Sequence, residues 1–137
     1  MGTDADIVRR ITEEVFLHGK VEVIDELVAD DFMTHDPPPG FPPTKAGFRQ
    51  LAELVASAFS DRKTPLDEFI DTDDGRVVEN WIMTATHTGA AFGLPPSNQE
   101  VQVRGIEIFR CDGGKIVEHW GSVDMSDVFM KAGPPPG

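Results

Sequence analysis

The chain has a single cysteine, Cys111, among its 137 residues. One thiol cannot form an intramolecular disulfide, a CxxC redox motif or a CxxC zinc motif, so the composition indicates a reducing compartment. No apolar run approaches the length of a membrane span, and the first residues lack the basic start and apolar core of a secretion signal. We therefore expect a cytoplasmic protein with no membrane partner.

Basic residues are also scarce, because 12 Lys and Arg stand against 24 Asp and Glu, a formal charge of −12. Such a surface repels a phosphate backbone, so nucleic acid is not an expected partner. The sequence has no glycine-rich nucleotide motif, no GxSxG elbow and no HxH or HxxxH pair. Phosphoryl transfer, serine hydrolysis, a bound metal and a cofactor are therefore not expected.

What is present is the composition of one ordinary globular domain, with 39% hydrophobic and 26% charged residues. We expect this domain to span 1–137, with a frayed tail at 132–137. Apolar residues at helical spacing predict three helices, of which Asp4 caps the first and Thr44 the third. Period-two segments then predict strands at roughly 65–72, 76–88, 99–111 and 115–124, before a helical turn at 126–131. This order predicts an α+β fold, in which a curved antiparallel sheet wraps the helices as a cone with one open mouth.

A proline-rich segment, Pro37 to Pro43, separates the second and third helices. Its five prolines remove backbone donors and fix φ, so it can neither continue a helix nor join the middle of a sheet. We expect a loop that acts either as a lid over a site or as a simple connector.

The last third of the chain contains the clearest strand pattern. Residues 101–110 alternate, so that Glu107 and Phe109 share one face, and the turn signal Asp112-Gly113-Gly114 predicts a hairpin. The second strand of this hairpin contains His119 and ends at Asp124, and their odd separation places them on opposite faces. A direct hydrogen bond between these two side chains is therefore not expected.

The chain resembles the SnoaL-like polyketide cyclases, which share the cone-shaped fold of nuclear transport factor two and the ketosteroid isomerases. The match extends along nearly the whole chain. It is carried by Ile7-Val-Arg-Arg-Ile11, His35-Asp36-Pro37, Gly47-Phe48, His87-Thr-Gly89, Gly93-Leu-Pro-Pro96 and the run from Asp112 through His119-Trp120 to Asp124.

The resemblance implies that Asp124 is the general base, which removes an acidic α-proton so that the enolate attacks a carbonyl group of the same molecule. A carboxylate in this role needs an apolar cavity that raises its pKa, and Trp120, on the same strand face, would help to line that cavity. The alternative is that Asp124 only caps the turn into the last helix.

Glu107 stands where some members of the family have a histidine. It would share the cavity with Asp124, so that the two carboxyl groups divide the roles of acid and base. Alternatively, Glu107 pairs with Arg104, Arg110 or an arginine of the first helix and is structural.

The chain has no tyrosine, so the tyrosine oxyanion hole of the ketosteroid isomerases cannot be built. The resemblance places His35 and His87 near the cavity mouth, where each would either hydrogen-bond an enolate or anchor a loop. Trp81 and Met83 on the long second strand are interpreted first as core residues and second as cavity lining, and Phe109 as a further lining residue.

Two functions follow as expectations. The first is a cyclase-like or isomerase-like enzyme that acts on a small hydrophobic carbonyl substrate, and the second is a binding protein of the same fold that holds a small apolar ligand without chemistry. Because the outer sheet of relatives commonly dimerises, we expect a homodimer in either case.

Overall fold

The computed structural model describes residues 3–132. The described residues form helices and a single sheet, so the predicted α+β class is confirmed, although one strand lies between the second and third predicted helices. The elements are α1 (Asp4–Arg10), which continues as a π-helix (Ile11–Leu17), α2 (Val23–Leu27), β1 (Val28–Thr34), α3 (Lys45–Ala58), β2 (Phe59–Asp71), β3 (Arg76–His87), β4 (Glu100–Asp112), β5 (Lys115–Asp124) and α4 (Ser126–Lys131). Of the predicted tail at 132–137, all but the first residue lies outside the described residues.

The first helix begins one residue earlier than predicted. Thr3, not Asp4, is the N-cap, because its hydroxyl accepts a hydrogen bond from the Asp6 amide while the Asp6 carboxylate accepts from the Thr3 amide. This reciprocal arrangement is a capping box, which satisfies two amide groups that the helix leaves free. The buried face of the helix presents Val8, Ile11 and, in its π-helical part, Val15 to the core.

The sheet has the strand order β1-β5-β4-β3-β2, in which β1 is parallel to β5 and the other neighbours are antiparallel. β1 is a strand that the sequence pattern did not predict. Its residues Asp30 and Asp31 suggest a break after α2, but β1 lies at the edge of the sheet, where both side chains stay exposed.

The proline-rich segment connects β1 to α3. The amide of Thr34 donates to the carbonyl of Pro43 at 3.0 Å, so both ends of the loop are held together. At its tip, Phe41 contacts Phe92 of the 88–99 loop, with ring centroids 6.4 Å apart. A Cβ atom at Gly47 would lie 1.9 Å from the carbonyl oxygen of Pro42, so α3 needs glycine there to approach the loop. The structure thus shows a connector, and a role as a lid stays a prediction.

Two apolar clusters form the core between the helices and the inner face of the sheet. The first surrounds Ile11, Ile24, Val77 and Phe109, and the second surrounds Phe59 with residues of β3, β4 and α4. Between them, the inner positions of β3 and β4 are polar rather than aliphatic. We call this region the polar band; it comprises Thr12, Thr34, Asp67, Glu79, Trp81, Glu107 and His119.

Candidate active site

A β-bulge in the β4–β5 hairpin decides which side chains enter the polar band. Next to the turn, Cys111 pairs with Ile116, but the following pair is Arg110 with Glu118, so β5 contains one extra residue. The pairing shifts by one position from there onwards, which turns every later β5 side chain to the opposite face. His119 therefore lies opposite Phe109 on the inner face.

The centre of the polar band is a hydrogen-bonded pair of Glu107 and His119, which we call the inner pair. Nε2 of His119 donates to Oε1 of Glu107 at 2.7 Å, and Nε1 of Trp81 donates to Oε2 of Glu107 at 2.8 Å. Nδ1 of His119 lies 2.7 Å from the hydroxyl of Thr34. Both side chains are mostly buried, with 20% of Glu107 and 11% of His119 exposed. The pair is therefore fixed in orientation and still reaches solvent.

Two glycines make room for the inner pair. A Cβ atom at Gly121 would lie 3.0 Å from two ring atoms of His119 and 3.1 Å from Oε1 of Glu107. A Cβ atom at Gly105 would lie 2.4 Å from the indole of Trp81. Any larger residue at these two positions would push the donor groups away from the Glu107 carboxylate.

Behind the inner pair lies a second carboxyl group, that of Glu79, which is directly opposite Glu107 on β3 and only 2% exposed. Thr12 donates a hydrogen bond to it at 2.8 Å. Burial, together with the charge of Glu107 and the contact with Asp67, raises the pKa of Glu79 to about 10. This shift favours the protonated form of Glu79 at neutral pH.

The prediction that Asp124 faces the cavity with Glu107 is wrong. The bulge turns Asp124 to the outer face, where it is exposed at the end of β5 and pairs with Arg104 in register. Its carboxylate accepts a hydrogen bond from the Ser126 amide at 2.9 Å, which lowers its pKa below the ordinary value. The alternative, a cap on the turn into α4, describes this geometry; a role as base stays a prediction.

His35 and Trp120 also lie on the outer face rather than at a cavity mouth. Their rings stack with centroids 4.8 Å apart, and His35 forms an outer pair with Glu118, Nε2 to Oε2 at 2.6 Å. Arg110 donates to the same carboxylate at 2.8 Å. The His35 and Arg110 hydrogen bonds lower the pKa of Glu118. The structure thus separates His35 and Trp120 from Glu107.

His87 is fully buried at the end of β3, where its ring stacks on Phe59 in the second apolar cluster. Neither ring nitrogen has a hydrogen-bond partner among residues 3–132. His87 lies eight positions after Glu79 on β3, which is about 26 Å along an extended strand. The structure therefore does not bring His87 to the inner pair, and a catalytic role for it stays a prediction.

Four predicted site residues do lie on the inner face: Trp81, Met83, Glu107 and Phe109. Phe109 contacts the ring of His119, with centroids 4.8 Å apart, and Met83 is buried in the second apolar cluster. The alternative in which Glu107 pairs with an arginine is wrong, since its partners are Trp81 and His119.

His119 and Thr34 are the site residues that the sequence analysis missed. A regular hairpin closed by Asp112 and Lys115 would place His119 outside, and only the bulge turns it inward. His119 could have been identified by allowing for one bulged residue in β5. With that bulge, His119 pairs with Phe109 and becomes a diagonal neighbour of Glu107 on the same face. Within residues 3–132, no group of three or more His, Cys, Asp or Glu side chains has a metal-holding arrangement. No helix there is long and apolar enough to cross a membrane.

The model of one protein family, the SnoaL-like polyketide cyclases, matches residues 6–131. The chain belongs to the SnoaL-like polyketide cyclase family. Solved structures of similar proteins share its architecture over nearly the full length. No curated protein sequence matches the chain.

Three of these structures illustrate the similarity. A proposed polyketide cyclase from Acidithiobacillus ferrooxidans is 25% identical, with a TM-score of 0.77 and 96% of each chain covered. IdmH from Streptomyces antibioticus, a proposed polyketide cyclase, is 25% identical with a TM-score of 0.78, covering 97% of this chain and 100% of IdmH. AclR from Streptomyces galilaeus, a proposed hydroxylase, is 23% identical with a TM-score of 0.80 and 97% of each chain covered. At this identity, AclR shows the fold alone.

Proposed function

We propose that this SnoaL-like protein is a cofactor-independent acid–base catalyst. It removes a proton next to a carbonyl group of a small hydrophobic polyketide-type substrate and closes a ring by intramolecular aldol addition. The observation that carries the proposal is the inner pair, a mostly buried Glu107 carboxylate held by two donors between apolar clusters. The family and the two proposed cyclases at 25% identity support the same class of reaction.

Glu107 is the group that this proposal makes the general base. An ionised carboxylate offers about four lone-pair positions, and the donors from Trp81 and His119 occupy two of them. A remaining lone pair takes the α-proton, and the carbanion formed attacks a second carbonyl carbon of the same molecule. The resulting alkoxide then takes the proton back from Glu107, so that the enzyme returns to its starting state.

His119 orients the base and supplies a donor for the developing negative charge. Its Nε2–H group must point at Glu107, because a carboxylate can only accept, and the Thr34 hydroxyl fixes the other ring nitrogen. When Glu107 becomes protonated it is a weaker acceptor, which frees the Nε2–H group to hydrogen-bond the enolate oxygen.

The surrounding residues favour an apolar substrate with few polar groups. Phe109 lies against the ring of His119, and the indole of Trp81 packs against Gly105 and donates to the Glu107 carboxylate. Such a lining binds through apolar contact and leaves selectivity to a few polar groups, here Glu107 and His119.

The test uses synthetic methyl esters that carry two or more ketone groups, with mass spectrometry to detect the cyclised product. Glu107→Gln keeps the size of the side chain but removes the base, so turnover is expected to fall at least about 100-fold. Glu118→Gln is the matched control, because it changes the glutamate of the outer pair on the opposite face. Its turnover is expected to stay within about twofold of the wild type.

A Glu107→Gln variant as active as the wild type on a converted ester would exclude this mechanism. The second candidate, a binding protein without chemistry, is favoured by one observation: both ring nitrogens of His119 are already hydrogen-bonded within the chain. It predicts that esters of the panel bind and are recovered unchanged after long incubation.

We further infer that the protein is a homodimer that pairs through the outer sheet face. An apolar row crosses this face in register from Ile70 through Val78 and Ile108 to Trp120, and Ile106 beside it is 49% exposed. Light scattering is expected to give twice the 15.0 kDa mass of the chain. Ile108→Glu is expected to yield monomers, because it places a charge in that row, and a wild-type monomer would contradict the inference.

A further inference from the structure

Glu79 is a buried carboxyl group for which the proposed reaction has no direct use. It occupies an inner position of β3, is 2% exposed, and accepts a hydrogen bond from the Thr12 hydroxyl at 2.8 Å. Its cross-strand neighbour on β4 is Glu107, the proposed base. Directly opposite residues have Cβ atoms about 5 Å apart, so two carboxyl groups approach each other within the apolar interior.

A third carboxyl group, that of Asp67 on β2, lies on the same sheet face as Glu79. Asp67 pairs with Trp81 and Phe69 pairs with Glu79, so the two acidic residues are diagonal neighbours across β2 and β3. Two ionised carboxylates can only accept, so a hydrogen bond between them would require a proton on one of them. Oδ1 of Asp67 is buried and has no hydrogen-bond partner among residues 3–132. The proton belongs on Glu79, because Glu79 is almost fully buried whereas Asp67 is half-buried.

The charged groups around this cluster lead to the same assignment. Asp67 and Glu107 face Glu79 from the neighbouring strands, and the contact from the helix is the uncharged Thr12. The helix charges Arg9 and Glu13 act on Asp67 and oppose each other there. If Asp67, Glu79 and Glu107 were all ionised, their negative charges would repel one another. A proton on one of the three carboxyl groups removes most of this repulsion.

We propose that Glu79 is a positioning residue for the inner pair: it keeps a proton that it shares with Asp67, and thereby leaves Glu107 as the anion that binds His119. The importance of this role for catalysis rests on the proposed function, whereas the protonation of Glu79 does not depend on it. Burial of Glu79, the largest effect on its pKa, acts in the direction that the role requires.

The first test is a carboxyl carbon NMR titration of the wild-type protein. The Glu79 resonance is expected to stay at its protonated position from about pH 5 to pH 8, while exposed glutamates titrate near the ordinary value of about 4.3. A Glu79 resonance that titrates with the exposed glutamates would overturn the proposal. This experiment needs no substrate, so its result is independent of whether the cyclisation assay succeeds.

The second test compares the titration of the His119 ring in the wild type and in Glu79→Gln. Gln is a neutral group of the same shape, so it replaces a protonated Glu79 without changing the charge next to Glu107. The two titration curves are therefore expected to coincide. If Glu79 were an anion, Glu79→Gln would remove a charge from the polar band and change the His119 curve, and that difference would also overturn the proposal.

Glu68→Gln is the control for the second test, because Glu68 lies on the exposed outer face, hydrogen-bonded to Asn80. This variant also removes one carboxyl group, and it too is expected to leave the His119 curve unchanged. Coincident curves would show that Glu79 carries no charge next to Glu107, whereas a glutamate that packs there as an anion would change the curve.

Discussion

The structure contains two histidine–glutamate pairs of nearly equal length on the two faces of one sheet. The inner pair joins Glu107 and His119 at 2.7 Å, and the outer pair joins His35 and Glu118 at 2.6 Å. They meet on β5, where Glu118 and His119 are consecutive residues with side chains on opposite faces. Bond length therefore does not distinguish a candidate catalytic pair from a surface contact.

Their surroundings do distinguish them. The outer pair has a histidine that is 37% exposed and an arginine, Arg110, that adds a positive charge to the carboxylate. Within residues 3–132, the inner pair has no hydrogen bond to an arginine or lysine; its glutamate is held by an indole and an imidazole, and its histidine by a hydroxyl group. Solvent weakens the electrostatic attraction within the outer pair. In the protein interior, by contrast, any donor or acceptor of the inner pair that loses its partner destabilises the folded state.

The largest difference is expected when one glutamate of each pair is truncated. Glu107→Ala leaves the indole N–H group of Trp81 and the Nε2–H group of His119 without an acceptor in a mostly buried region. The free energy of unfolding, measured by urea denaturation, is expected to fall by about 3 kcal/mol. Glu118→Ala is the control and is expected to change stability far less. Equal losses would mean that burial does not separate the two pairs.

The next effect is a pH dependence of the free energy of unfolding. It is expected because the inner pair lies next to Glu79, a buried acid whose pKa is raised. The pKa of Glu79 is raised to about 10 in the folded state, whereas the unfolded chain releases this proton near the ordinary pKa of 4.5. Between these values the folded state binds more protons, so the stabilising contribution is full below the unfolded pKa and declines as pH rises. The slope is at most about 1.4 kcal/mol per pH unit.

Glu79→Gln removes this titration and is expected to flatten the decline. Urea unfolding at about pH 5, 7 and 9 should show a variant that becomes more stable relative to the wild type at each step. Glu68→Gln on the outer face serves as the control and should follow the wild type. Parallel curves for Glu79→Gln and the wild type would show that Glu79 ionises normally in the folded protein.

Much of the fold could be predicted from local patterns. Helical spacing identified the helices, and alternation with the Asp112-Gly113-Gly114 turn identified the β4–β5 hairpin, since both signals are local in sequence. The edge strand β1 was missed because its two aspartates favour a turn, and its pairing with β5 is a contact between distant parts of the chain.

The site was less predictable, for one physical reason. Glu107 was identified because alternation along β4 is regular, but the bulge in β5 exchanges the inner and outer side chains of the facing strand. The regular pattern therefore indicated Trp120 and Asp124, and the structure brings His119 instead. Hydrogen bonds from Thr12 and Thr34 come from the helix and the edge strand, whose approach no local pattern encodes.

A smaller effect is expected at Gly121, whose missing side chain lets the inner pair lie close to the backbone. Gly121→Ala places a Cβ atom about 3 Å from the imidazole and the carboxylate, so one of them must move. The loss of stability is expected to be about 1 kcal/mol, with a shifted His119 ring signal in the NMR spectrum. Ser122→Ala, at the next position on the outer face, should leave that signal unchanged. An unshifted signal in Gly121→Ala would show that the strand relaxes without disturbing the pair.

The smallest effect is expected at Asp124, where the resemblance and the structure lead to different expectations. Asp124→Asn keeps an oxygen that accepts from the Ser126 amide, so the turn into α4 is preserved. Because the side chain is exposed on the outer face, turnover of any converted ester is expected to stay within about twofold of the wild type. A loss of about 100-fold, comparable to that expected for Glu107→Gln, would reverse the assignment. It would mean that the functional protein uses the outer face, and that the inner pair serves stability rather than chemistry.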